Sequence, residues 1–257
     1  MAVHNLNSCK LYMHEYDLST DHFRMELTHA AEALENTAFG DTTRSHISGL
    51  QTVNFTGEGY FQADGTSAVD DVIDGAYNVT NKIITVAPLD GAVGSPAKSF
   101  TSIIGEYRQP SNPQIGELYT YEVSATTGQF TSPADTKYVK GGIIFHALGA
   151  ETTTSGSTSI QLGAVTAGQT VFCVIHITAL SGSSPILTID VRHDDNSGMT
   201  SPNILGGVFG GALTTVQADI ANDVLSGGTT TDDWWDVQWT LSGGTPSFTF
   251  LVTLGIQ

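Results

Sequence analysis

The side chains best suited to chemistry in this sequence are acids and histidines, and the acids gather in two places. His193-Asp194-Asp195-Asn196 and Asp232-Asp233 are oxygen-rich runs. Calcium takes roughly six to eight oxygen ligands, commonly from loop carboxylates, so both runs are candidate cation ligands. Neither has EF-hand spacing, and Asp and Asn in short loops also bond their own backbone, which favours two plain turns. The eight histidines (4, 14, 22, 29, 46, 146, 176 and 193) show no HxxxH pattern, and no CxxC is present. His176 lies in an apolar run and reads as a core histidine. No GxSxG, HExxH, Walker or GxGxxG motif occurs in context. The reading is therefore not an enzyme, with no cofactor and no metal expected. Trp234 is the one aromatic that alternation places outward, beside Asp232, Asp233 and Asp236. A tryptophan among acids on a β-protein is a candidate sugar-stacking surface; packing against a neighbouring loop explains it equally well.

Composition narrows the partners. The chain has 257 residues, a net charge of −17 and 28 glycines, and only 14% of its residues are charged. That profile suits β-structure with many turns. Nucleic acids are bound by Lys and Arg through counterion release, so a surface this acidic repels them. Cys9 and Cys173 read as two reduced thiols. No apolar run approaches the ~20 residues of a membrane span. The N-terminus lacks a signal-peptide pattern, which places the chain in the cytoplasm of its host until it is assembled. The sequons at Asn54 and Asn78 are then chance matches.

The elements that must position these residues are mostly strands. Lys10–Leu18 is an opening strand. Phe23, Met25 and Leu27 alternate with Arg24, Glu26 and Thr28. From Leu50 to Phe61, Val53 and Phe55 point inward and Asn54, Thr56 and Glu58 outward. Ser67 fits a helix N-cap with Asp70 three residues on, and Val69, Val72, Ile73 and Ala76 recur at helical spacing, which predicts a short helix over 68–78. Strands follow at 83–88, 99–107, 115–126 and 140–148. A polar stretch at 150–158 sets an expected domain boundary, giving domains 1–150 and 151–257. The second part is all strand. Val171–Leu180 is apolar on both faces. Ile186–His193 alternates, as does Trp234–Leu241, with Trp235, Val237, Trp239 and Leu241 inward and Asp236 outward; a last strand closes the chain. Glycine-rich turns at 181–182, 206–207, 227–228 and 243–244 punctuate it, which predicts a β-sandwich of short strands. Ser181-Gly-Ser-Ser-Pro and Gly243-Gly-Thr-Pro-Ser read as a pseudo-repeat within it.

Between the two early strands lies the least ordinary stretch, residues 29–49. It is too polar for a core and carries no clear helix or hairpin signal. Irregular connections longer than about a dozen residues are usually functional or disordered. Its flanking strands would pair as neighbours, so it reads as a long extension thrown off a β-hairpin.

The residues of this stretch resemble a known signature. Glu35, Asn36-Thr37-Ala38-Phe39-Gly40-Asp41, Arg44, Gly49-Leu50, Gly57 and Tyr60-Phe61 look like the "T-x-F-G-D-x-x-R" loop, and the glycine-punctuated strand after it, of long-tailed bacteriophage tail tube (major tail) proteins. Asn36 departs from the pattern, where an Asp is expected. The resemblance implies a mainly β fold: a tail-tube-type antiparallel β-sandwich or barrel with one short helix, followed by a second all-β sandwich domain that decorates the outside. A second, diverged tube fold is the alternative for residues 151–257. It further implies a structural virion protein of the phage tail that polymerises as stacked rings into a hollow tube for DNA ejection. Its partners would be itself, as hexameric rings or trimeric ones if the fold is duplicated, and other tail proteins such as tape measure and terminator. DNA would pass through the lumen without specific binding, and no membrane is involved. Glu35, Phe39, Asp41, Arg44, Ile47 and Leu50 become the candidate ring-stacking loop, disordered until assembly. Glu26, Asn54, Thr56 and Glu58 become candidate lumen residues, whose acids keep DNA from adhering. The competing classes are a carbohydrate-binding or adhesin module using Trp234, and another tail or head structural protein.

Overall fold

The computed structural model describes residues 8–38, 42–62, 68–109, 118–128, 139–226 and 228–257, the Ser48 side chain excepted. The expected positions Phe39, Asp41, Ser67 and Gly227 lie outside the described residues. The chain is mainly β. In order it forms β1 (Lys10–Met13), β2 (Tyr16–Asp17), β3 (His22–Glu35), β4 (His46–Tyr60), helix α1 (Val69–Ala76), β5 (Lys82–Ala87), β6 (Pro96–Arg108), β7 (Thr120–Thr127), β8 (Lys140–Glu151), β9 (Ser155–Gly156), β10 (Ile160–Gln161), β11 (Val171–Asp194), β12 (Asn203–Leu205), β13 (Gln217–Ala221) and β14 (Trp234–Ile256). Two compact units are built from discontinuous stretches. One takes residues 1–20, 83–99 and 140–257, the other 21–82 and 100–139. The sequence reading instead divides the chain once, near residue 150, a position that falls inside β8.

The larger unit is organised on β11 and β14, which pair antiparallel along almost their whole lengths, from Val171↔Ile256 to Asp194↔Trp234. Sequence reasoning expected four short strands separated by glycine turns. The Ser181-Gly182 and Gly243-Gly244 "turns" are instead bends inside two long strands, with register shifts between Ser181 and Ile186. Gly182 (φ 118°) and Gly243 (φ 112°) occupy the left-handed half of backbone space. A Cβ on Gly243 would stand 2.5 Å from the Ser184 carbonyl oxygen, so the two strands cross where only glycine fits. The apparent pseudo-repeat is the two sides of this one paired bend.

β11 is buried on both faces from Val171 to Ile177, as its unbroken apolar run implies. Cys173, Ile175 and Ile177 join Trp235, Val237, Phe248, Phe250, Val252 and Leu254 in the main core. Phe172 and Val174 pack on the other side with Ile83. Burial holds the Cys173 thiol well above its usual range, so it is an inert core residue.

His176 shares that second side and is fully buried. Its Nδ1 donates to the His14 carbonyl at 2.7 Å, and its Nε2 takes the Thr85 hydroxyl at 2.6 Å, with Ser99 Oγ 2.8 Å further on. That chain satisfies a neutral imidazole, and desolvation lowers its pKa to about 4. Linkage follows with a definite sign. Above the unfolded histidine value near 6.5, neither state takes the proton. As pH falls below it, the unfolded chain binds a proton that the native chain refuses, so stability drops until about pH 4. Between pH 6.5 and 5.5 the expected loss is about 1 kcal/mol. Urea midpoints across that interval, with the His176 ring followed by NMR, check it; a ring titrating near 6.5 contradicts the account.

The smaller unit is a sheet in the order β3–β4–β7–β6, the last through residues 100–108. Val53, Phe55, Tyr121, Val123, Ala125 and Ile104 are buried on one face. Helix α1 contributes Val69, Val72, Ile73 and Ala76, the four residues its spacing singled out. Its N-cap is Ala68, without a side-chain cap bond, where the sequence suggested Ser67. The Asp70 carboxylate instead accepts from Tyr107 Oη and Gln109 Nε2, both at 2.7 Å, and its backbone N–H donates to Gln62. These bonds tie the first turn to the end of β6. Gly57 and Gly59 are required by close approach: a Cβ on Gly59 would sit 2.0 Å from the Asp21 carbonyl oxygen and 2.7 Å from Tyr121 Oη.

Candidate assembly surface

The stretch expected as a long irregular loop is mostly strand. β3 runs unbroken to Glu35 and β4 starts at His46, so only residues 36–45 connect them. The ladder continues outward through His29↔Val53, Ala31↔Gln51, Leu34↔Ile47 and Glu35↔His46. β7 leaves β4 after Asn54↔Thr126. Beyond that point, among the described residues, the hairpin is a two-stranded arm. Every side chain of β3 from Thr28 to Glu35 is exposed. The alternation of strand and helix signals failed here because the arm has no buried face to impose a period; its sequence, Thr-His-Ala-Ala-Glu-Ala-Leu, reads as neither.

The tip is closed locally. Asn36 N–H donates to the Ser45 carbonyl at 3.0 Å, Ser45 Oγ donates to Asn36 Oδ1 at 2.6 Å, and Ser45 N–H donates to Thr37 Oγ1. Asn36 thus acts as a neutral acceptor. Arg44 and Glu35 are 3.9 Å apart within one chain and both exposed. Solvated pairs of this kind contribute ~0–1 kcal/mol. Among its polar side chains the arm presents three large apolar ones, Leu34 and Ile47 about half exposed and Leu50 71% exposed. Leu50 owes its position to a bulge, since Gly49 and Leu50 together oppose the single residue Glu32 between the Ala31↔Gln51 and Ala33↔Ser48 pairs.

The four expected lumen residues share one face of the smaller sheet. Glu26 pairs with Thr56, and Asn54 and Glu58 lie two residues to either side of Thr56 on the same face. The face continues through Glu122, Ser124 and Thr126 of β7. Glu58 stands directly across from Glu122, a like-charge pair that is destabilising by itself. Arg24 relieves it with a 2.8 Å bond to Glu58, and Arg108 lies 3.7 Å from Glu122 and 2.6 Å from Glu106. Bonding to Glu106 raises the Arg108 pKa. The face is net acidic, and Glu58, Tyr107, Arg108, Gln109, Thr120, Tyr121 and Glu122 line a cleft of about 670 Å³ there.

The two acidic runs of the larger unit are neighbours. His193 Nδ1 lies 2.7 Å from Asp232 Oδ2, which also accepts from Asn203 Nδ2 at 3.0 Å. Asn196 Oδ1 caps Gly198 N–H and Asp194 takes Ser201 N–H, as in ordinary turns. The Ser201 backbone N–H lowers the Asp194 pKa, and the bond to and negative charge of Asp194 raise that of Asp195. Among the described residues no group of three or more His, Cys, Asp or Glu is placed to hold a metal ion. Asp236, expected outward, is instead buried against Arg192, whose Nε donates at 2.8 Å and whose Nη2 also bonds it. Trp234 is half-buried, paired with Asp194 on one side and Gln161 on the other. No helix among the described residues is long and apolar enough to cross a membrane.

No family model and no curated protein matches the chain. Among solved structures it is similar to a chain of the virion of a native gene transfer agent particle, with 11% identity, 50% of this chain and 96% of that one covered, and a TM-score of 0.40. It is similar to a chain of the sheath-tube complex of an extracellular contractile injection system in the extended state, with 12% identity, coverage of 54% and 90%, and a TM-score of 0.42. It is also similar to a chain of the phage p2 baseplate in its activated conformation, with 8% identity, coverage of 96% and 98%, and a TM-score of 0.32.

Proposed function

We propose that this chain is a structural virion protein of a phage-type tail, which polymerises with copies of itself into stacked rings forming a hollow tube. The observation that carries this reading is the β3–β4 arm. A two-stranded ribbon is marginal in water by itself, and one with both faces exposed and Leu34, Ile47 and Leu50 uncovered needs a partner. Among the described residues β3 pairs with β4 alone, and its fourteen-residue outer edge is a second surface of the kind that strand addition between subunits removes. A ring is a heterologous contact that closes by rotation. In it the Glu26–Thr56–Glu58–Glu122 face would line the lumen and let DNA pass without adhering. Assembly would be hexameric, or trimeric were both units tube-like, with tape measure and terminator proteins as further partners. The protein would wait in the host cytoplasm and end in the virion.

The experiment is negative-stain electron microscopy of concentrated protein, with light scattering after size exclusion on the same sample. Hollow filaments or stacked rings with six-fold end views are expected, and the mass per ring separates hexamer from trimer. A protein that remains monomeric, and whose 29–49 segment resists proteolysis as it stands, would overturn the reading.

A further inference from the structure

The β3–β4 hairpin carries a second bulge, at its other end. Between the His22↔Gly59 and Arg24↔Glu58 pairs, β3 has one extra residue, Phe23, with nothing opposite it on β4. Alternation assigns Phe23 to the inner face with Met25 and Leu27. The bulge turns it out instead, 52% exposed, onto Tyr60 with ring centroids 5.1 Å apart. Leu118, 72% exposed, and Tyr119, whose ring meets Phe61 edge-on at 4.6 Å, stand at the same end, before β7. Bulges re-aim side chains, and here one does so at each end of a single hairpin. One exposes Leu50 beside Leu34 and Ile47. The other exposes Phe23 beside Tyr60. Thirteen steps of β3 separate the ends, about 40 Å at ~3.3 Å per residue.

We infer that the aromatic end, centred on Phe23 and Tyr60, is the docking site for the arm of a second copy of this chain. This rests on the self-assembly proposed above and names its receiving surface. Two apolar patches at opposite ends of one hairpin are head-to-tail complementary, and repetition of such a contact stacks copies along the hairpin direction. An opposite-charge contact is available too. The arm tip carries Arg44, whose side chain is 79% exposed and 3.9 Å from Glu35. The aromatic end carries Asp21, which accepts from Gln62, and the exposed Asp71 of the acidic first turn of α1.

The test uses full-length chain in a Cys9→Ser background, Cys173 being buried. Phe23→Cys and Leu50→Cys single variants are mixed and treated with a short bismaleimide. A covalent dimer that forms in the mixture well above its yield with either variant alone is expected. In parallel, Phe23→Ser/Tyr60→Ser should raise the concentration needed for assembly at least tenfold with an unchanged circular dichroism spectrum. Wild-type assembly without the mixed cross-link, and with an unshifted threshold for the serine pair, overturns the docking site and leaves self-assembly standing. Failure of the wild type to assemble even on preformed seeds overturns both. Should the serine pair misfold, the cross-link, in which each patch loses one side chain and keeps its neighbours, remains the deciding readout.

Discussion

Replacing Leu34, Ile47 and Leu50 together by serine is expected to abolish self-association and leave the fold intact. The asymmetry comes from where these side chains are. In the monomer they are exposed, so their removal costs the fold little; surface substitutions of this kind stay within about 0.5 kcal/mol each. In an assembly they would be covered, and fully burying a Leu or Ile side chain stabilises by about 1.5–3 kcal/mol. Leu34 and Ile47 are already about half covered, so the three together forfeit roughly 3–5 kcal/mol per copy, a shift in assembly threshold of about 10²–10³-fold at ~1.4 kcal/mol per tenfold. The check is sedimentation against concentration beside urea midpoints for the same samples. A triple variant that assembles as well as wild type would mean that the arm is not the contact. A triple variant that unfolds would mean that the arm packs on its own chain.

The same residues show where sequence reasoning works and where it stops. Val53 and Phe55, and Trp235, Val237 and Trp239, were all legible, because a sheet with one covered face imposes a period of two on its side chains. Helix α1 was legible for the corresponding reason. Phe23 broke the pattern because a one-residue bulge reverses the face of the residue it inserts, and no residue type announces it. The arm was invisible as strand because neither of its faces is covered.

Arg192 and Asp236 fail in a third way. Alternation correctly put both on the side of β11 and β14 opposite Trp235, but whether that side meets water depends on what else covers it. Here Asp236 is 2% exposed and the pair is satisfied within the ladder, directly opposite each other. Arg192 is the sole Lys or Arg of residues 151–257, and this bond occupies it. In the acid-rich turns at 193–196 and 232–236, His193 bonds Asp232 across the two runs while Asp194 takes the Ser201 N–H and Asn196 that of Gly198, a clasp of local bonds.

That clasp makes the adjacent tryptophans the sharpest test of register. Trp235→Ala is expected to destabilise the larger unit by about 3–5 kcal/mol, the range for emptying a core of a large aromatic. Trp235 is fully buried, its Nε1 donates to the Gly163 carbonyl at 3.0 Å, and its ring lies 4.9 Å from that of His193. Truncation would therefore orphan a carbonyl, open a void in the main core and loosen the His193–Asp232 bond together. Trp234, one residue earlier, points to the opposite face and is only half-buried. Trp234→Ala is expected to cost no more than about 1 kcal/mol, because its removal leaves a surface dent that water can fill. Denaturation midpoints of the two variants decide it. Equal losses would put the strand register in error by one residue. Trp234→Ala also separates the functional classes. A carbohydrate-binding module using this ring loses glycan binding in the variant, whereas a tail subunit whose contacts run through the β3–β4 hairpin assembles as the wild type does.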